Sequence, residues 1–340
     1  MKVTTNYRIC SAILIVLLMA CRLASPGQEK IKGVSFVAPV QEEKLLNTQA
    51  VLQVHANWAA LMPYAYIGSE LDTIVYNTSW QWWGERKEGV VSCIRQLKEK
   101  GLKIMLKPHL WLKHGAYTGD FKLGSDEEWS RWEKAYENYL LDFAAIAAEH
   151  QLELFCIGTE LRNVVKERPE FWSNLILKVR SIYKGKLTYA ANWDDYKHVP
   201  FWNQLDYIGV DAYFPLCSAT DTSPTTDILV LAWEKHKTGL MNYARKEQRP
   251  VLFTEAGYRS VAHTCFQPWG LAGTASASQL DQLNAYEAMF EAFWEEDWFA
   301  GLFIWKWYNR PENLSESRYN TDYTPQGKAA EGTIRKWFNE

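Results

Sequence analysis

Two glutamates stand where short apolar runs give way to loop-like sequence: Glu160 in LFCIGTELR and Glu255 in PVLFTEAGY. Taken singly, each reads as a carboxylate left in solvent where a strand stops. Facing each other across a cleft, they could cleave a glycosidic bond. One carboxyl must be kept protonated, by burial or by a neighbouring charge, so that it can give its proton to a leaving oxygen. The other must stay ionised to attack the anomeric carbon. Their separation selects the stereochemistry, about 5 Å for retention and roughly 6.5–9.5 Å for inversion.

Such a pair needs two elements that end side by side. Eight short apolar runs recur along the chain, starting at Lys32, Asp72, Lys103, Leu152, Lys186, Leu205, Pro250 and Ala300. Each has the length and the β-branched or aromatic content of a buried parallel strand. Amphipathic stretches separate them. GVVSCIRQLKEKG stops at Gly101, and the long stretch from Ser125 carries Glu128 three residues on, a capping-box spacing. FWSNLILKVRSIY, the stretch from Thr226, SQLDQLNAYEAMFEAFWEE and KAAEGTIRKWF continue the series, and only the connection after the fifth run is too short for a regular helix. This alternation predicts a single (β/α)8 TIM barrel over residues 31–340. A doubly wound sheet would carry a Gly-rich loop after its first strand, and FVAPVQEEK has none. Catalytic groups of a barrel come from the C-terminal ends of strands, where Glu160 and Glu255 fall. Counting by twos puts Gly158, Cys156 and Leu154 on the face of Glu160, and Phe253 and Val251 on that of Glu255.

Residues 1–30 are set apart from the barrel. Lys2 and Arg8 precede an apolar run from Ile9 to Met19, as in an export signal. Leu18-Met19-Ala20-Cys21 looks like a bacterial lipobox, with cleavage before a lipidated Cys21; an ordinary signal peptide is the alternative. The expectation is an exported, membrane-anchored lipoprotein, periplasmic or at the cell surface, and a monomer. Net charge is −3 with no basic block, so nucleic acid is not an expected partner. Cys93 and Cys156 read as buried thiols, while Cys217 and Cys265 lie in loop-like sequence and could pair in an exported protein.

The 17 tryptophans exceed what a core of this size needs, and many cluster at the ends of apolar runs, at Trp80, Trp82 and Trp83, Trp111, Trp193, Trp305 and Trp307. Flat rings with a polar edge suit stacking on sugar faces, and core packing accounts for the rest. Neither a metal site nor a serine nucleophile is expected. The histidines do not form a His-x-His pair with further ligands at later strand ends, and no Gly-x-Ser-x-Gly turn occurs.

Taken in order, GVSF, the WW segment, KPHLW, GTE, NWDDY, DYIGVDAYFPL, FTEAGY and FIWKWY resemble glycoside hydrolase family 113, a clan A barrel family whose characterised members are chiefly β-1,4-mannanases. The resemblance covers nearly the whole mature chain. It implies Glu160 as acid/base, Glu255 as nucleophile, Tyr213 as the partner of Glu255 and Trp305 as the platform under the sugar. It also implies that Lys107, His109, Asn192 and Trp193 line the cleft, with no cofactor. Most clan A enzymes have Asn before the acid, where this chain has Thr159; the resembled family shares GTE. The implied substrate is a β-linked polysaccharide or oligosaccharide. Another β-glycan, or a non-catalytic sugar-binding lipoprotein, stays open at this stage.

Overall fold

The computed structural model describes residues 29–68, 71–218, 223–270, 273, 275–310 and 320–340. The segment expected to be an export signal, with Cys21, lies outside the described residues. Ile31–Glu340 form one unit, described here by itself.

Eight parallel strands close into a barrel. They are β1 (Ile31–Val37), β2 (Trp58–Leu61), β3 (Lys103–Leu106), β4 (Leu154–Thr159), β5 (Lys186–Asn192), β6 (Ile208–Asp211), β7 (Val251–Ala256) and β8 (Phe299–Tyr308). Each pairs with its sequence neighbours, and β1 pairs with β8 to complete the ring. Ile31, Trp58, Ala60, Met105, Leu154, Tyr207, Leu252 and Phe303 fill the barrel's interior. A larger core separates the strands from the surrounding helices. Eight α-helices occur among the described residues. The long one, Asp126–Glu149, opens with the expected capping box: Ser125 Oγ accepts from Glu128 N, and the Glu128 carboxylate accepts from Ser125 N. After β5 only the 3-10 turns Tyr196–His198 and Trp202–Gln204 bridge to β6, as the short connection predicts.

One strand differs from expectation. The second barrel strand is Trp58–Leu61, not the run from Asp72, which supplies only Ile74–Val75. WAAL is four residues long and lacks β-branched side chains, so it carries little strand signal, yet all four residues are buried. Ile74–Val75 instead edges a small side sheet with Tyr64–Ile67 and His109–Leu112, beyond the ends of β2 and β3.

Strict alternation also fails at the ends of both glutamate-bearing strands. In β7 it is Leu252 and Thr254 that face inward, while Val251 and Phe253 join the core outside the barrel. The ladder to β6 then shifts between Phe253 and Glu255, which brings Glu255 to the inside directly after Thr254. In β4 the ladder to β5 shifts between Cys156 and Thr159. Gly158 therefore faces the helices, where a Cβ would lie 2.8 Å from Trp172 and 3.0 Å from Tyr136 Oη.

Nine of the 17 tryptophans are buried, including Trp307, which packs in the outer core rather than the cleft. Cys217 and Cys265, whose pairing the sequence left open, form a disulfide, and Cys93 and Cys156 are buried thiols.

Candidate active site

The C-terminal ends of β3, β4, β6 and β7 bring one ammonium and three carboxyl groups together. Lys107, following β3, is fully enclosed and pairs with Asp211 at 3.2 Å and with Glu255. Asp211, ending β6, also accepts from Thr254 Oγ1 at 2.8 Å. Burial alone would lower the Lys107 pKa, but the charges of Asp211 and Glu255 outweigh it and raise it. Burial and the neighbouring Glu255 push Asp211 up to about 7.

The two sequence-predicted glutamates sit in contrasting surroundings. Glu255 is held on both oxygens: Tyr213 Oη donates to Oε2 at 2.7 Å and Lys107 Nζ donates to Oε1. Two donors suit a carboxylate, which can only accept, and they fix its orientation. Glu160 has no hydrogen bond or ion pair to its carboxyl among the described residues. Desolvation of this half-buried carboxyl, then the charges of Asp211 and Glu255, raise its pKa well above the usual carboxylate range, which favours the protonated form. Its backbone is left-handed, with φ 52°, and its N–H donates to Ala190 O at 2.8 Å. A non-glycine residue in that region is uncommon and costs of order 1 kcal/mol. Together with the ladder shift before it, this turn aims the carboxyl over the barrel. One acid kept neutral beside one carboxylate held by donors is the division of labour that acetal cleavage requires.

Around them the expected cleft residues divide. Trp305, near the end of β8, is half-buried and stacks in parallel on His109, with ring centroids 6.2 Å apart and planes at 8°. His109 Nε2 lies 3.7 Å from Glu255 Oε1. Burial and the Lys107 charge lower its pKa well below the usual value, so the imidazole is neutral. Asn192, at the end of β5, donates to Tyr117 Oη at 3.0 Å, and Trp193 stacks on the exposed Trp269 at 5.5 Å. Lys107, expected to line the cleft, is fully enclosed instead, its ammonium held by the buried carboxyls of Asp211 and Glu255. Gly257 lets the end of β7 pass Trp305, since a Cβ there would fall 2.4 Å from Trp305 O.

Three neighbours carried no local signal. Tyr64 packs on His109 at 5.1 Å, Tyr117 bonds Asn192, and Trp269 extends Trp193. Each depends on a contact with residues distant in sequence.

The family profile described as Glycoside Hydrolase Family 113 matches residues 39–328. No curated protein matches the sequence. Among solved structures, a family 113 β-1,4-mannanase in a complex superposes with TM-score 0.81 at 23% identity, over 92% of this chain and 99% of the other. The family 113 β-mannanase AaManA from Alicyclobacillus acidocaldarius, in complex with ManMIm, gives 0.77 at 24% identity, over 91% and 97%. Fungal β-1,4-galactanases give 0.54 at 17% identity, over 89% and 98%. At these identities the likeness concerns the barrel.

Proposed function

We propose, on the premise that the chain belongs to glycoside hydrolase family 113 and is a glycoside hydrolase, that it cleaves β-1,4-mannosidic bonds with retention of configuration. Glu255 acts as nucleophile and Glu160 as acid and base. The observation that carries this reading is the contrast between the two carboxyls, one raised in pKa and without a hydrogen bond or ion pair among the described residues, the other held by Tyr213 and Lys107.

With a sugar seated on Trp305, a Glu255 oxygen attacks the anomeric carbon. The bond to the leaving oxygen breaks, and that oxygen takes the Glu160 proton. In the second step the Glu160 carboxylate takes a proton from water. The water oxygen bonds to the anomeric carbon, and Glu255 leaves with its electron pair. The proton returns to Glu160, so the cycle closes without net change in the enzyme.

The choice of mannan is supported by the β-1,4-mannanases among similar structures. A panel of mannan, glucomannan, xylan, cellulose and manno-oligosaccharides tests it. Fastest reducing-end release is expected from mannan or manno-oligosaccharides, and preference for xylan or cellulose would refute the substrate.

Glu160 gives a separate expectation. A proton donor works only below its pKa, so kcat/KM on mannan is lost as pH rises through the elevated Glu160 pKa. Glu160→Ala should lower kcat/KM on mannan by roughly 10²–10⁴-fold. With 2,4-dinitrophenyl β-mannoside, whose leaving group needs no proton, kcat/KM should be nearly kept and its alkaline limb lost. Equal losses on both substrates would remove Glu160 from the donor role.

A further inference from the structure

The side sheet takes no part in the chemistry above, yet one of its faces is patterned. Parallel pairing sets Tyr64 opposite His109 and Tyr66 opposite Trp111, so the four rings share a face. Ala65, Ile67, Leu110 and Leu112 turn the other way, into the core. The inner row begins at the reaction centre, where His109 stacks on Trp305 and lies 3.7 Å from Glu255. The outer row lies two residues farther along the strands, roughly 6.5 Å away. There Trp111 is 49% exposed, and Trp80, 60% exposed, packs edge-on against Tyr66 at 4.8 Å.

These exposed rings are held in place from behind. Tyr66 Oη donates to Glu85 Oε2 at 3.1 Å. Gln81, next to Trp80, donates to Tyr64 O at 2.8 Å and accepts from Thr78 N at 2.9 Å. A fixed, solvent-facing aromatic surface continuous with a reaction centre marks a ligand groove rather than packing.

We propose that the Tyr66, Trp80 and Trp111 face is a binding wall for further β-1,4-linked hexose units on the glycone side of the cleaved bond. This deepens, and rests on, the glycosidase reading of the same cleft. The side follows from geometry. The ladder starts beside Glu255, whose attack retains the glycone, whereas Tyr117 and Asn192 gather on the side of Glu160, which protonates the departing portion. Pyranose faces stack on the indoles, and row spacing comparable to one sugar unit gives successive units successive rings.

The test compares Trp111→Ala and Trp80→Ala with the wild type on mannohexaose and on 4-nitrophenyl β-mannoside, which has a single glycone unit. Each variant should lower kcat/KM on mannohexaose about tenfold and on the aryl mannoside less than about twofold, with the melting temperature unchanged. No loss on mannohexaose, or equal losses on both substrates, would overturn the wall. Fluorescence titration with mannohexaose and cellohexaose separates the two readings. If the wild type cleaves neither substrate, the glycosidase reading fails. The wall is then supported by weaker binding in the variants and overturned by unchanged or absent binding.

Discussion

Glu255→Ala is expected to lower kcat/KM on β-mannan by at least ~10⁴-fold while leaving the fold intact. Tyr213 and Lys107 donate to its two oxygens, one to each. Its loss removes the attacking atom, whereas Lys107 keeps Asp211 as a buried partner. Added azide makes the role specific. On an activated aryl β-mannoside, azide can enter the vacated volume, attack the anomeric carbon and yield α-mannosyl azide. Rescue of this kind identifies a lost nucleophile, because a merely structural glutamate would not be replaced by a small anion. Near wild-type turnover in the purified variant would sink the nucleophile assignment.

Lys107→Met should have the largest effect on stability. Removing one partner of a buried ion pair costs about 3–5 kcal/mol, because the remaining charges lose compensation in a dry site. Here two carboxyls, Asp211 and Glu255, would be left. For a chain of this size the melting temperature should fall by about 10 °C. The pH dependence gives the sign. Burial and Glu255 already raise the Asp211 pKa above its unfolded value, and without the opposing Lys107 charge it rises further. The Asp211 contribution is fully present below the unfolded pKa and lost as pH rises through the folded one. The variant should therefore recover stability relative to wild type as pH falls. A deficit independent of pH would mean that lost packing, not charge, is responsible. Thermal melts of both proteins from acidic to neutral pH make the comparison.

Which of these features were legible in the sequence follows from the range of the interactions involved. The β4 and β7 runs, the strand-end glutamates and the Ser125 capping box are local, and they read correctly. The inward count through Gly158, and through Phe253 and Val251, failed because both ladders shift next to the glutamates. A shift is a property of two paired strands, and neither strand's periodicity records it. The second strand was missed because Trp58–Leu61 owes its place to burial on both faces, not to propensity. Lys107 was expected in the cleft from the family resemblance, yet its enclosure is decided by Asp211 and Glu255, far along the chain. The aromatic wall was half visible, as a surplus of tryptophan. Its geometry depends on pairing Tyr64 with His109, which no local pattern specifies.

The most direct test of the central claim is proton NMR of mannohexaose hydrolysis, following the anomer that forms first. A Glu255 nucleophile with Glu160 as acid and base predicts that β-configured reducing ends appear first and then mutarotate. First appearance of the α-anomer would show a single displacement by water and contradict the double displacement; absence of cleavage would contradict the substrate as well.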